Sequence, residues 1–433
     1  SGYKGGIAMN MKEKLSQNDC IEQIKLLYQT DDMGAKKYTE RFLHLIEQFH
    51  ITFRGDNENI RIFSAPGRTE LGGNHTDHQR GHVLAAAVNL DMIAAVKKNN
   101  QNIIQIKSDG YKMITVDLSK LNPVKEEEGT TLSLVKGIVA SFLNIGYSVK
   151  GFDAVITSDV LKGSGLSSSA AFEVLIGTII NSLFCDNQES AIKIAQIGQY
   201  AENVFFGKPC GLMDQMASSV GSFVAIDFKD AENPVVEKIT FDFATANHAL
   251  CIVDTGGNHA DLTPDYASVP AEMKSVANFF GKEVLSEVTE ENIYQNIAAL
   301  RQKCGDRAIL RAIHFFSDDK KALEEAQALK KNDFQTFKNL VSYSGLSSFT
   351  CLQNVYSTSN PQEQGLSLAL ALCQKILGEK GAYRVHGGGF AGTIQAFVPI
   401  QMLEHFQKEM ENAFGKGKCY VLSIRPVGGV EIK

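Results

Sequence analysis

The sequence predicts an α+β protein of two lobes, mixed sheets with helices, and an active site in the cleft between the lobes. Three observations carry this expectation. The chain has 433 residues, more than one hydrophobic core usually serves. Between Gly151 and Leu183 a strand, a glycine-rich turn and a helix follow one another directly. From Ser222 onward the pattern changes to strands separated by longer polar gaps, which puts the lobe boundary loosely near residues 228–248. The division adopted is 21–235 for the first lobe and 236–433 for the second.

Composition supports a folded protein, with 44% hydrophobic and 21% charged residues. A net charge of -6 argues against a general binder of nucleic acid or anionic membrane, which needs a basic excess. The eight cysteines form no CxxC pair and no metal-ligand spacing, so they are read as reduced thiols in a cytoplasmic compartment. No apolar run is long enough to span a bilayer. The expected partners are small molecules, with the chain a monomer or a weak homo-oligomer. The opening SGYKGGIAMN lacks the apolar core of a signal peptide. Residues 1–20 are therefore set apart as tag or disordered, with Met9 or Met11 as the expected start.

In chain order, Met11 to about Phe49 shows helical periodicity in Leu15, Ile21, Ile24, Leu26, Leu27, Phe42, Leu45 and Ile46, broken near Asp31 and Asp32. Ile60 to Ala65 alternates as a strand that Pro66 and Gly67 are expected to stop. Next come Arg68, Glu70, Asn74, His75, Thr76, Asp77, His78 and Arg80, packed within 13 residues ahead of an apolar strand from Val83 to Val88. A solvated loop would look the same. Its chemistry also suits a ligand, because Asp, Asn and imidazole groups hydrogen-bond sugar hydroxyls and a guanidinium suits a phosphoryl group. Strands are predicted at Met92–Val96, Ile103–Ile106 and Ile114–Val116, an exposed loop at Lys125–Glu128 and a helix over Leu132–Leu143.

The chain is organised around Leu161 to Leu175, LKGSGLSSSAAFEVL, which the strand Gly151–Ser158 feeds directly. Gly163 and Gly165 remove the Cβ atoms that would keep backbone N–H groups from an anion, and the helix that follows would point its positive end at that anion. Ser164, Leu166, Ser167, Ser168 and Ser169 complete the turn. The hydroxyls of Ser167 to Ser169 can cap the helix, bind phosphate oxygens or, for one of them, ligate Mg²⁺. A plain Gly/Ser turn remains the other reading of this motif taken alone.

Helices are predicted over Ala171–Leu183 and Ile192–Phe206, leading into GKPCGLMDQMASSVG. Asp214 lies there between Met213 and Gln215, where a carboxylate is costly unless it is paired or working. A helix cap near Gly211 is the alternative, and Glu202 is the upstream acid able to join Asp214. Strands follow at Ser222–Asp227, Val235–Phe241 and Ala249–Asp254. Tyr266, in TGGNHADLTPDYASVPAEM, is the aromatic hydroxyl there best able to reach a cleft, although an ordinary surface tyrosine fits as well. Helical patterns fill Ala271–Phe280, Ile293–Phe316, Lys320–Leu329 and Pro361–Leu377. Gly387, Gly389 and Gly392 have the GxGxxG spacing, but the β-type run Thr393–Val398 follows instead of a helix. The stretch therefore reads as a glycine loop between two strands and not as a dinucleotide fingerprint.

No GxxxxGK[ST], HExxH or GxSxG sequence occurs, which removes Walker ATPases, zincins and serine hydrolases of those types. The remaining elements resemble the GHMP small-molecule kinases. GRTELGGNHTD is similar to the galactokinase signature GRxNLIGEHTD, GSGLSSSAA to the family's second motif, CGLMDQ to its catalytic segment and GGGFAG to its third motif, in order from about Ile60 to the C-terminus. The resemblance implies ATP-dependent phosphorylation of the anomeric hydroxyl of galactose. It implies that Gly163 to Ser169 wrap the ATP phosphates, that Ser169 and Glu202 hold Mg²⁺, that Asp214 accepts the hydroxyl proton and that Arg68 stabilises the transferring group. Asn74, His75, Thr76, Asp77 and Tyr266 would bind the sugar, and Ser108 in QIKSDG is expected near the nucleotide.

The chain departs from the signature in several places. Asn74 replaces a glutamate, Glu70 and Gly72 stand where asparagine and isoleucine are usual, His78 stands for tyrosine and Ala391 for glycine. An amide at position 74 would tolerate a C6 carboxylate, which makes galacturonate an alternative substrate beside N-acetylgalactosamine. A non-catalytic galactose sensor is a further alternative, disfavoured because Arg68, Ser169, Glu202 and Asp214 are all present.

Overall fold

The computed structural model describes residues 9–55, 58–160, 165–257 and 260–433. Gly163 and Ser164, expected in the phosphate-binding turn, lie outside the described residues. Two sheets organise the chain. The first runs in the order β12 (Val430–Ile432), β1 (Arg61–Gly72), β2 (His82–Lys98), β5 (Phe152–Ser158), β3 (Ile103–Ser108) and β4 (Ile114–Asp117). The long β2 pairs with β5 over Met92–Lys98 and with β6 (Phe223–Asp227) over His82–Ala86, and β7 (Val235–Ile239) pairs with β6. The β3–β5 pair is parallel and the other pairs are antiparallel. The second sheet runs β11 (Cys419–Leu422), β8 (His248–Asp254), β10 (Thr393–Pro399) and β9 (Ala382–Val385).

Alternation along each strand decides which layer covers which face. Phe63, Ala94, Val96, Ala154 and Ile156 point to the side covered by the helices Thr131–Ile145, Ser168–Phe184 and Ala191–Tyr200. Their neighbours Ile62, Ile93, Ala95 and Val155 point to the opposite side, under helices Asn18–Tyr28 and Asp32–Phe53. In the second sheet Leu250 and Ile252 join a core shared with Leu84, Ala86 and Val88 of β2, whereas Cys251 and Val253 face helices Gly365–Leu377 and Leu403–Phe414. The core shared by both sheets ties the lobes together.

Several expectations are corrected. Residues 11–20, set apart as tag or disordered, are largely helical, and Met11, Leu15 and Cys20 are buried. The buried Asp91 fixes this layer. It accepts from Tyr28 Oη at 2.5 Å and Ser64 Oγ at 2.5 Å and pairs with Arg41 Nη1 at 2.5 Å and Arg425 Nη1 at 3.2 Å. Burial alone would raise the Asp91 carboxyl, yet the two guanidinium groups hold it below the usual carboxylate range. The drawn division after residue 235 falls inside β7, which pairs with β6, so the first sheet extends to Ile239. Its outermost strand, β12, comes from the far end of the sequence.

Strand β1 does not stop at Pro66. It continues to Gly72 with register shifts at Pro66/Arg68 and at Glu70/Gly72. Proline is tolerated because β12 covers only Ile62–Ser64, leaving the other edge of β1 unpaired at Pro66. The predicted helix Ile293–Phe316 is broken at Asn296 and at Gly305 (φ 86°), and the expected gap before Lys320 does not exist, since Asp306–Lys330 is one helix. No helix among the described residues is long and apolar enough to cross a membrane. All eight cysteines are free thiols.

Candidate active site

The site forms where three chain segments meet. Strand β1 passes so close to the serine turn that a Cβ on Gly67 would lie 2.9 Å from Leu166 O, which makes glycine necessary there. The next residue, Arg68, donates its backbone N–H to that same carbonyl at 2.9 Å. Its side chain donates through Nη1 to Gly165 O at 2.7 Å and through Nε to Asp214 Oδ1 at 2.6 Å. Ser167 Oγ donates to the second oxygen, Asp214 Oδ2, at 2.8 Å. Strand, serine turn and the helix Met213–Val220 are thus locked around one carboxylate.

Ser167 holds a left-handed backbone (φ 62°) and makes no capping bond to the helix Ser168–Phe184 that it precedes. Its hydroxyl is committed to Asp214, and the first N–H groups of the helix remain without a side-chain cap, pointing where an anion is favoured. Backbone strain of this kind persists where the surroundings enforce it. The cleft in front has a volume of about 350 Å³ and is lined by Arg68, Ser167, Ser168, Ser169, Lys208 and Asp214 on one side. Tyr266, His386 and the Gly387–Gly392 loop line the other.

Burial works against ionisation of Asp214, but the Arg68 guanidinium, the Ser167 hydroxyl and Lys208 outweigh it and hold the carboxyl below its ordinary value. About a third of the Asp214 side chain (36%) opens to the cleft. Arg68 is buried, and the carboxyls of Asp214, Glu70 and Asp77 keep it protonated.

Of the expected sugar-binding residues, Tyr266 alone is among those lining the cleft. Asp77 reaches the catalytic segment, since a Cβ on Gly211 would lie 3.2 Å from Asp77 Oδ2. Tyr266 lines the cleft and donates its hydroxyl to Gly389 O at 2.9 Å. His75 donates from Nε2 to Gly388 O at 3.0 Å, with burial pushing its pKa down.

Two expected sugar ligands face inward instead. Thr76 is fully buried, with Oγ1 on the carbonyls of Gly73 and His82 at 2.9 and 2.6 Å. Asn74 donates Nδ2 to Gly387 O at 2.8 Å, and its Oδ1 accepts from Ser348 and Asn354 at 3.1 and 3.0 Å. Its backbone N–H donates to Asp318 Oδ2 at 2.7 Å. The amide is therefore spent on the protein, and the case for a carboxylated sugar read from position 74 loses its physical basis.

Sequence reasoning missed the frame behind this loop. Asp318 falls in the gap between two predicted helices and Ser344 in a stretch without a predicted element, yet Ser344 Oγ donates to Asp318 Oδ1 at 2.5 Å and Arg384 donates to Ser344 and Ser348. His386, read only as part of a glycine stretch, bridges Thr69 Oγ1 and Thr393 Oγ1, each at 2.9 Å, and Gln395 Nε2 donates to Thr69 Oγ1 at 2.8 Å. Gly72 makes room for Glu325, whose carboxyl would lie 2.2 Å from a Cβ at that position. Ser108 ends β3 and is not among the residues lining the cleft.

The galactokinase galactose-binding signature matches residues 47–98, and the GHMP kinases N terminal domain matches residues 133–222. A galactokinase of Actinobacillus pleuropneumoniae is 31% identical over 357 residues, covering 81% of this chain and 88% of its own. The chain belongs to the galactokinase family. It is a phosphotransferase. A galactokinase of Clostridium tetani is 27% identical over 360 residues, covering 83% of this chain and 89% of its own. In fold, this family member is similar to the Lactococcus lactis galactokinase complexed with galactose, at a TM-score of 0.75 and 23% identity over 90% of this chain and 99% of that one. Mevalonate kinase of Methanococcus jannaschii shares the fold at a TM-score of 0.60, with 16% identity over 86% of this chain and 99% of that one. The two-lobed GHMP architecture is thereby established.

In this galactokinase-family enzyme the donors implied for Mg²⁺ fit a hard cation. Glu202 is buried and accepts from Gln215 Nε2 at 3.0 Å and Cys210 Sγ at 3.4 Å. Glu173, beside it, keeps Oε2 buried without a partner, and burial together with Glu202 raises its carboxyl well above the usual range. With Ser169 in the cleft wall these are oxygen donors of the type Mg²⁺ takes when most of its shell is phosphate and water. No cage of three or more His, Cys, Asp or Glu ligands exists among the described residues.

Glu70, which replaces the usual asparagine, keeps Oε2 buried without a partner, and burial pushes its carboxyl up from 4.5 to about 7. The folded chain therefore holds this proton more tightly than the unfolded chain, and its contribution to stability falls as pH rises between those two values. The Glu70→Gln variant is expected to gain melting temperature relative to the parent between about pH 5 and about pH 8. A difference in melting temperature that stays constant across that range would mean that Glu70 ionises as freely in the folded chain as in the unfolded one.

Proposed function

We propose that the protein transfers the γ-phosphoryl group of ATP to the anomeric hydroxyl of galactose, giving α-galactose 1-phosphate. The observation that carries this reading is the carboxylate of Asp214, held between Arg68 Nε at 2.6 Å and Ser167 Oγ at 2.8 Å on the wall of the serine-turn cleft. Phosphoryl transfer needs positioning and charge neutralisation more than covalent help, and the cleft walls offer both.

The uncapped start of the helix Ser168–Phe184 receives the phosphates, with Ser168 and Ser169 beside them. Ser169 and Glu202 would hold Mg²⁺, which when bound neutralises phosphate charge. Asp77 and Tyr266 face the sugar, while His75 and Asn74 act one step back by fixing the carbonyls of Gly388 and Gly387. Asp214, kept ionised by its neighbours, accepts a hydrogen bond from the anomeric hydroxyl and takes its proton late, when the oxygen–phosphorus bond has begun to form. Arg68 steadies the transferring group and the carboxylate together.

Galactose, glucose, galacturonate and N-acetylgalactosamine assayed for ATP-dependent sugar 1-phosphate formation test the reading. Galactose is expected to be turned over best. No product from galactose alongside efficient turnover of another of these sugars would overturn the substrate assignment.

A further inference from the structure

Lys208 enters the cleft from the turn after the π-type helix end at Phe206. Its backbone N–H donates to Glu202 O at 3.1 Å, and two residues later the Cys210 N–H donates to Asn203 Oδ1 at 2.9 Å, so the base of the side chain is anchored on both sides. The residue is exposed, and among the described residues its ammonium makes no hydrogen bond or ion pair. It lines the same wall as Arg68, Ser167, Ser168, Ser169 and Asp214, and its charge is one of those that keep Asp214 ionised. Lysine on such a wall is a mobile point charge with three donors, suited to phosphate oxygens that change position during reaction.

Charge accounting gives this group a task. Among the residues lining the cleft, Asp214 brings one carboxylate, and Arg68 pairs with it directly. Lys208 adds a second positive charge, so that an entering triphosphate meets two cations and one carboxylate on this wall. We propose that Lys208 is a further catalytic residue, its ammonium contacting the γ-phosphoryl oxygens of ATP as that group passes to the sugar. This rests on the reading of the cleft as the ATP–sugar transfer site. In the step, the anomeric oxygen bonds to the γ-phosphorus, the bond from that phosphorus to the bridging oxygen breaks with its electron pair leaving on ADP, and the hydroxyl proton goes to Asp214. Lys208 exchanges no proton and forms no covalent bond. It follows the charge from the γ-phosphoryl oxygens towards the leaving group.

The test compares the parent with Lys208→Met and Lys208→Arg in the full chain, reading kcat, KM for galactose, and the affinity for MgATP by calorimetry. In Lys208→Met, kcat is expected to fall about 10- to 100-fold and MgATP affinity about 5-fold, with KM for galactose unchanged, and Lys208→Arg is expected to recover most of the kcat. A Lys208→Met enzyme with kcat within about twofold of the parent and unchanged MgATP affinity would overturn the proposal. If the parent phosphorylates none of the sugars above, it is the reading of the transfer site that fails, and equal MgATP affinities of parent and Lys208→Met would still decide against Lys208.

Discussion

Replacing Asp214 by asparagine is expected to lower kcat by about a thousandfold while MgATP still binds. The substitution keeps the side-chain shape but removes the charge that faces Arg68 Nε and the acceptor that Ser167 Oγ uses. Two losses combine. The anomeric hydroxyl no longer meets an ionised acceptor, and the buried guanidinium of Arg68 turns from a paired charge into one whose nearest partner is neutral. The phosphate-binding side of the cleft depends on the helix start at Ser168 and not on Asp214, so nucleotide affinity should change little. Initial rates of ADP release give kcat, and calorimetry gives the affinity. An Asp214→Asn enzyme retaining more than about a tenth of the parent rate would strip Asp214 of its assigned role.

The Asn74→Glu substitution restores the residue that the signature usually carries, and it is expected to cost about 3 kcal/mol of stability or more. The amide Nδ2 that donates to Gly387 O would become a second acceptor facing that carbonyl. A new carboxylate would also sit in the buried frame that already contains Asp318 and Glu325. Urea unfolding of parent and variant reads the loss directly. Unchanged stability combined with a new preference between galactose and galacturonate would instead put residue 74 in contact with the sugar.

These two positions illustrate what the sequence made legible and what it hid. Asp214, Arg68 and the serine turn stood out because local composition alone demanded an explanation: a carboxylate among methionines, a guanidinium within a glycine-punctuated loop, three hydroxyls where a helix begins. The structure brings these groups together. The role of Ser167 was not legible, because its choice between phosphate and Asp214 depends on a left-handed backbone at that residue. Asn74 and Thr76 read as ligands since short polar side chains in a loop look alike whether they face a cleft or the carbonyls behind it.

The local pattern divides the helix Asp306–Lys330 in two for a related reason. Ser317, Asp318 and Asp319 have the composition of a turn, but Asp318 and Asp319 serve as acceptors for the backbone N–H groups of Asn74 and His82. Long-range partners of this kind leave no mark in local periodicity. The continuation of β1 past Pro66 was hidden likewise, since it depends on which edge of the strand β12 leaves open.

The chain of Thr69, His386, Thr393 and Gln395 has a mechanical consequence. It fastens the root of the glycine loop to the strand that carries Arg68 through bonds that water cannot reach, with His386 kept neutral by burial. Swinging the halves of the molecule apart along this seam would break the bonds of Thr69 to His386 and to Gln395 together, while the bond of His386 to Thr393 lies within the second lobe and would remain. Any opening of the cleft that leaves these bonds intact keeps this side of it fixed.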